Sequence, residues 1–358
     1  MMTIQFNGIP IHVGSLESAP FNALLEEYST RKKVIMVDEN THDCCLEYLL
    51  TAFPALEEAE VMLLPAGEEN KALEVCYQVW SAMLEYQINR NDLVINLGGG
   101  VVTDLGGFIA SVYKRGIDFI HIPTSLIGMV DAAIGGKNGV DLNGLKNIIG
   151  TITQPKAIFV DSGFLETLPA EEIFNGYAEM LKHALILDAT YWDRIKSLNS
   201  EVELIQIEHI IRSIELKKQI VEADPTEKGM RKLLNFGHTL GHALESYFLN
   251  AQPIAHGHAV ALGMIGESYI SYKRGMLKLE TYREIEQCII RIFPMLEIPE
   301  NAIEELIVLM KNDKKNERNS LNFVLLEAIG TAQVNAEITS SEVGEALLHL
   351  SLLAQHGN

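Results

Sequence analysis

Four of the chain's 11 histidines, His238, His242, His256 and His258, crowd into the stretch 238–258. In NFGHTLGHALE the first two lie four apart on a helical pattern, which stacks their imidazoles on one face, the spacing of a metal-ligand pair. Spacing alone therefore points to His238 and His242 as ligands, with a stacked surface pair as the plainer reading. His256 and His258 in PIAHGHAVALGM are two apart, and residues so spaced on a helix project roughly 200° from each other, so only one can face an ion. Upstream, GYAEMLKHALI puts Glu179, Lys182 and His183 at i, i+3 and i+4 on one helical face. A carboxylate plus two histidines would hold zinc and leave a position open for a substrate oxygen, as Lewis-acid catalysis requires.

A second chemical feature is the run DLVINLGGGVVTDLGGF. An apolar strand ends in Gly98-Gly99-Gly100 and enters a helix near Val102, so backbone N–H groups and the helix N-terminus can together receive a pyrophosphate. The run is not G-x-G-x-x-G, because Thr103 occupies the third glycine's place, and taken alone it reads equally well as a tight connection. Asp38 closing VIMVD, and Glu68 with Lys71 after VMLLP, favour a dinucleotide, since acids at strand C-termini accept ribose hydroxyls. Lys137, Lys146 and Asn147 sit among glycines in VDAAIGGKNGVDLNGLKNIIG, and Arg115 lies in YKRG; Lys182, Lys217 and Arg231 fall in apolar or mixed helices. Basic groups beside glycine-rich backbone suit a phosphate or carboxylate, although each alone reads as a solvated charge.

The elements that must position these groups change character along the chain. Apolar, β-branched runs at 33–37, 60–64, 92–97, 119–122 and 157–160 alternate with helical patterns at 21–29, 41–52, 70–87 and 102–111, as in a parallel α/β sheet. Beyond about residue 160, helical patterns dominate at 171–187, 201–222, 236–249, 256–275, 279–293 and 341–355, with a hairpin near 321–334 and a charged loop at 313–318. The expected organisation is a Rossmann-like α/β dinucleotide-binding domain over 1–160 and a mainly α-helical metal and substrate domain over 161–358.

Composition bounds the function. A chain of 358 residues exceeds what one core supports, and 47% hydrophobic with 21% charged residues is a globular composition. No apolar run approaches the roughly 18 residues of a membrane span, and the first residues carry neither an early basic cluster nor an apolar signal core. A cytoplasmic protein with no membrane partner is expected. The net charge of −20, with no basic stripe, argues against a nucleic-acid partner and means that an anionic substrate needs a local basic pocket. Cys44, Cys45, Cys76 and Cys288 lack zinc-site or disulfide spacing and read as idle thiols.

Taken together, GGGVVTDLGGFIAS, KRGI, PTSLIGMVDAAIGGKNGV, GLKNIIG, GYAEMLKHA, RKLLNFGHTLGHALE and HGHAVALGM resemble the 3-dehydroquinate synthase family from Asp38 to Lys314. The resemblance implies a phosphate-eliminating lyase of the shikimate route to aromatic amino acids, closing 3-deoxy-D-arabino-heptulosonate 7-phosphate into 3-dehydroquinate. It implies NAD that is regenerated in each turnover, zinc with cobalt as the alternative, and a homodimer. It makes Asp38, Glu68, Lys71, Gly99, Gly100, Val101, Asp104, Thr124 and Ser125 dinucleotide contacts, with Lys146, Phe164, Thr167 and Asn175 added. Glu179, His238 and His256 become the metal ligands, which moves His242 to the substrate. Arg115, Asp131, Lys137, Lys146, Asn147, Lys182, Lys217, Arg231, Asn235, His242 and Lys314 become the substrate set, with catalytic roles for His242, Glu227, Lys137, Lys182 and Arg231.

Three departures stand out. His258 replaces the family's usual glutamate; Asn138 stands where threonine is common, a polar exchange expected to matter little; and Asp224-Pro225-Thr226-Glu227 stiffens the loop before Arg231. Another sugar-phosphate cyclase, or a metal-dependent polyol dehydrogenase of the glycerol dehydrogenase type, is the competing enzyme, and retention of G-G-K and G-L-K-N argues against the dehydrogenase. A non-catalytic dinucleotide sensor would have no use for the metal set.

Overall fold

The computed structural model describes residues 1–142, 145–249, 252–312 and 321–356. Two compact units are formed, Met1–Pro169 with Ile205–Lys218, and Ala170–Leu204 with Gln219–Asn358. The division thus follows Pro169 rather than residue 160, and a later segment of chain returns to the first unit.

The first unit is built on seven described strands: β1 (Met2–Phe6), β2 (Ile9–Val13), β3 (Lys33–Asp38), β4 (Glu60–Leu64), β5 (Leu93–Gly98), β6 (Asp118–Pro123) and, after a separate hairpin, β9 (Ile158–Val160). The order is β1-β2-β9-β6-β5-β3-β4, parallel from β2 to β4 with β1 antiparallel at one edge. LVINLG in β5 is buried at every position, as a parallel strand covered on both faces must be. β3 has β4 on one side and β5 on the other, so the sheet reverses its direction of growth there. Ligands of such sheets bind beyond the strand C-termini at this switch point, where Asp38 and Gly98 end their strands.

The β1–β2 hairpin was not among the expected strands, yet Asn7-Gly8, both with positive φ, is the two-residue turn that joins antiparallel strands. Nor was the antiparallel pair β7 (Lys137–Leu142) and β8 (Leu145–Ile152), which glycines disguise. Helix Gly100–Val112 lies close on β5 and on β7: a Cβ on Gly106 would sit 2.1 Å from Asn96 Oδ1, and one on Gly107 2.0 Å from Asn138 Oδ1. The close approach that the third fingerprint glycine normally permits is provided here within the helix, which is why Thr103 is tolerated.

In the second unit, helices Ala170–Leu187 and His256–Lys273 are the most deeply buried, with 13 buried residues each. The latter is buried almost all round, the mark of a central helix rather than an amphipathic surface one. Strands β10 (Leu321–Ala328) and β11 (Thr331–Ile338) form the expected hairpin. The helical pattern at 201–222 is realised as Glu201–Leu204 and Ile207–Ala223, and helices Ala189–Ile195 and Ile303–Asn312 are additional. No described helix is long and apolar enough to cross a membrane.

Candidate functional site

In the first unit the helix after β5 starts at Gly100, so the N–H groups of Gly100 and Val101 lie in its first turn without intrahelical acceptors. The Thr103 hydroxyl donates toward Gly99 O and Gly100 O at 3.1 and 3.0 Å, and Thr124 N–H donates to Gly98 O at 3.0 Å, which together fix the glycine turn. Ser125 Oγ accepts Gly128 N–H at 3.2 Å. Asp38 caps the next helical turn: Thr41 N–H and Thr41 Oγ1–H both reach its Oδ1, at 2.8 and 2.9 Å, leaving Oδ2 for a ligand hydroxyl.

Lys71, Glu68 and Asp104 form one charge network. Lys71 is buried with Nζ 2.7 Å from Asp104 Oδ2 and 3.6 Å from Glu68 Oε1, and Lys146 Nζ is 3.7 Å from the same glutamate oxygen. Burial pushes the Lys71 ammonium toward deprotonation, but the carboxylates of Asp104 and Glu68 outweigh it, so the amine is held above its ordinary value and stays charged. Lys217 Nζ lies 2.7 Å from Asp131 Oδ1. Lys217 therefore belongs with the first unit, although its sequence position suggested the second.

Lys137 is exposed at the start of β7, whereas Asn138 is buried and donates from Nδ2 to Gly136 O and Thr153 O at 3.0 and 2.9 Å. The exchange for threonine is therefore not idle, since a hydroxyl offers one donor hydrogen where the amide uses two. Asn147 and Arg115 adopt left-handed backbone, with φ of 52° and 69°. Asn147 is held there by its N–H to Asp141 Oδ1 at 2.7 Å. Phe164 is buried with its ring edge-on to Tyr48, and Thr167 ends the same short helix, Ser162–Thr167. Sequence reasoning missed a buried pair on neighbouring strands: Asn96 Nδ2 donates to His121 Nδ1 at 3.2 Å. Burial pushes the His121 imidazole down to about 3, so it is neutral.

In the second unit Glu179 is fully buried, and nothing among the described residues donates a hydrogen bond to its Oε1. That oxygen lies 3.5 Å from His238 Nε2 and 3.7 Å from His256 Nε2, while Lys182 Nζ pairs with Oε2. Donor atoms of His238, His242 and His256 fall within 4.8 Å of one another. Ligands held roughly 2.0–2.1 Å from one tetrahedral ion are separated by roughly 3.4 Å, so this carboxylate and these imidazoles fit a zinc-sized cation. A buried carboxylate also calls for compensating positive charge or hydrogen bonds.

Each imidazole has its own anchor. His238 Nδ1–H donates to Phe236 O at 3.1 Å, and His256 Nδ1–H to Glu245 Oε2 at 3.3 Å, so both present Nε2 to Glu179. Asn175, expected at the cofactor, receives Gly257 N–H on its Oδ1 and donates to Glu172 Oε2 at 3.1 Å, pinning the helix start that carries His256. His258 turns away: its Nε2–H donates to Pro294 O at 2.6 Å, and burial lowers its pKa so that it stays neutral. The choice between the two neighbouring histidines, open in the sequence, has this geometric basis.

The loop 224–235 is organised by Asp224, whose carboxylate accepts the N–H groups of Lys228, Gly229 and Arg231 at 3.0, 2.6 and 3.1 Å. Those bonds, led by that from Gly229, hold the carboxyl below its ordinary range. Arg231 is buried and donates to Pro225 O at 2.8 Å, and Asn235 Nδ2 donates to Glu227 Oε1 at 3.0 Å, with Glu227 in left-handed backbone at φ 59°. Lys314 lies outside the described residues.

Residues 61–175 match the 3-dehydroquinate synthase N-terminal family and residues 176–316 the 3-dehydroquinate synthase C-terminal family. The chain is 40% identical over 319 residues to the 3-dehydroquinate synthase of Parabacteroides distasonis, covering 88% of this chain and 90% of that protein. Its fold is similar to that of a 2-epi-5-epi-valiolone synthase from Streptomyces hygroscopicus subsp. jinggangensis with NAD+ and Zn2+ bound (TM-score 0.86, 28% identity, 99% of both chains). A 2-deoxy-scyllo-inosose synthase complexed with carbaglucose-6-phosphate, NAD+ and Co2+ shares the fold at a TM-score of 0.82 and 22% identity, over 97% of this chain and 99% of that one.

Proposed function

The chain belongs to the 3-dehydroquinate synthase family, whose members convert 3-deoxy-D-arabino-heptulosonate 7-phosphate into 3-dehydroquinate and phosphate, and from that premise we propose how its own residues divide the work. The observation that carries the proposal is the buried Glu179 carboxylate, with an oxygen that receives no hydrogen bond from any described residue and faces two histidine Nε2 atoms. Glu179, His238 and His256 hold the divalent metal, zinc with cobalt as the alternative, and NAD is the dinucleotide. When bound, NAD supplies a hydride acceptor restored in each turnover, and the metal supplies a Lewis acid beside the reacting oxygen.

The protein's own groups bind, orient and move protons. The N–H groups of Gly99, Gly100 and Val101 receive the pyrophosphate, and Asp38 Oδ2 the ribose hydroxyls. Glu68, Lys71 and Asp104, locked to one another, keep that wall fixed, with Thr124 and Ser125 beneath the turn. Lys137, Lys146, Arg115 and Asn147, with Lys217 set by Asp131, hold substrate anions from the first unit. Lys182, Arg231 and Asn235, the last oriented by Glu227, are the substrate groups the second unit carries, and Lys314 is assigned the same role from its sequence alone. His242, beside the two ligand imidazoles, relays a proton through a ring nitrogen, and the departing phosphate can take one itself. The enzyme is a phosphate-eliminating lyase, working as a homodimer in the cytoplasm, with its cofactor domain N-terminal and its metal domain C-terminal.

The test is phosphate release from the heptulosonate phosphate with NAD only stoichiometric to enzyme. Turnover should continue without net NADH and stop on adding a chelator. NADH accumulating in proportion to product would make the protein a dehydrogenase instead.

A further inference from the structure

Glu267 lies on the central helix His256–Lys273 and is fully buried, yet neither the expected site residues nor the division of labour above uses it. Its Oε2 accepts the N–H of Gly237 at 2.8 Å, and its Oε1 is 3.5 Å from Leu240 N, so it sits at the N-terminus of helix His238–Phe248. An ionised carboxylate in the core is costly unless fixed dipoles compensate it, and unpaired first-turn N–H groups do so.

The position matters more than the capping. Gly237 N–H and Phe236 C=O belong to the same planar peptide group, so gripping one fixes the other. Phe236 O is the acceptor of His238 Nδ1–H, the bond that selects the tautomer presenting Nε2 to Glu179. Gly237 itself is left-handed at φ 77°, and a Cβ there would lie 2.6 Å from Met264 Cγ and 2.7 Å from Val260 O, so the position is packed closely against the central helix and admits only glycine without strain. A relay runs from the Glu267 carboxylate through one peptide plane to the imidazole of His238.

We infer that Glu267 is a positioning residue for the metal ligand His238, acting through the Phe236–Gly237 peptide; this rests on the metal reading of Glu179, His238 and His256. The experiment measures Zn2+ affinity by chelator competition, and the visible absorption of the Co2+-loaded protein, for wild type, Glu267→Ala, Glu267→Gln and His238→Ala. Losing an outer partner of a metal ligand typically costs about 10–100-fold in metal affinity, so Glu267→Ala should weaken zinc binding by that factor and alter the cobalt spectrum. Glu267→Gln keeps an oxygen for Gly237 N–H and should fall between wild type and alanine. Unchanged zinc affinity and cobalt spectrum in Glu267→Ala, even with a lowered melting temperature, would reduce Glu267 to a helix cap. Should the alanine variant fail to fold, unchanged affinity in Glu267→Gln overturns the inference equally. Wild type that binds no zinc, or His238→Ala that binds it normally, would instead overturn the metal reading itself.

Discussion

The buried His121 makes the first unit sensitive to acid in a calculable way. In the folded chain its imidazole accepts the Asn96 amide, and burial lowers its pKa from the ordinary 6.5 to about 3. An unfolded chain returns it to its ordinary value. Between those limits the unfolded state binds the extra proton, so the stabilisation is fully present above about pH 6.5 and is lost as pH falls toward 3. Each pH unit inside the window costs about 1.4 kcal/mol, and a drop from pH 7 to pH 5 crosses about one and a half units of it, a loss of about 2 kcal/mol. Native-state hydrogen exchange of the β5 and β6 amides, corrected for intrinsic rates, reads the opening free energy of this sheet without requiring the whole chain to unfold in one step. Protection in the wild type should fall roughly 30-fold more between those pH values than in His121→Gln, which has nothing to titrate there. Equal losses in the two proteins would show that the imidazole is solvated or protonated in the fold, and the reasoning would be refuted.

Other outcomes follow from the same geometry. His256→Ala should lose bound zinc, whereas His258→Ala should keep it and lose only about 1 kcal/mol with its bond to Pro294 O; metal analysis of the two purified variants decides, and the reverse result would exchange their roles. Lys137→Ala and Arg231→Ala should each lower turnover at least about tenfold, about 1.4 kcal/mol in the barrier, with zinc content and NAD affinity nearly unchanged. Wild-type turnover in both would return them to plain charges. Gly237→Ala combines a left-handed φ with a backbone collision and should cost about 2–4 kcal/mol, seen as a lowered melting temperature together with weakened zinc binding.

How much of this was legible in the sequence depended on the range of the interaction. Strands β3 and β5 announced themselves as apolar runs because burial on both faces selects chiefly apolar residues. The β7–β8 hairpin did not, because its glycines serve the close approach of the two strands to each other, a Cβ on Gly150 lying 2.4 Å from Asn138 O, which periodicity cannot foresee. His238 and His242 were visible as a helical pair, whereas the fastening of His256 by Glu245 and of its helix start by Asn175, and the bond of His258 to Pro294 O, are long-range and were not. Lys217 looked like a residue of the second half because chain order hides the return of Ile205–Lys218 to the first unit. Glu267 carries no local signature at all, since a glutamate in an apolar helix declares its partner only when the helix it caps is in view.

The backbone offers a separate argument about where the molecule does its work. Described non-glycine residues in the left-handed region include Arg115, Asn147 and Glu227, each assigned to the substrate or the chemistry from motifs that contain no conformational information. Such a conformation costs about 1–3 kcal/mol and persists only where its surroundings dictate it. Here they do: Asp141 Oδ1 holds the Asn147 N–H, Lys71 O in turn holds the Asp141 N–H at 2.7 Å, and Asn235 holds Glu227. The Asn147 support is thereby tied to Lys71, whose ammonium is fixed by Asp104 and Glu68. A lysine expected at the cofactor thus braces, through its own carbonyl, the strained residue expected at the substrate. The residue expected at the cofactor and the residue expected at the substrate in this unit are joined through Asp141 by two hydrogen bonds.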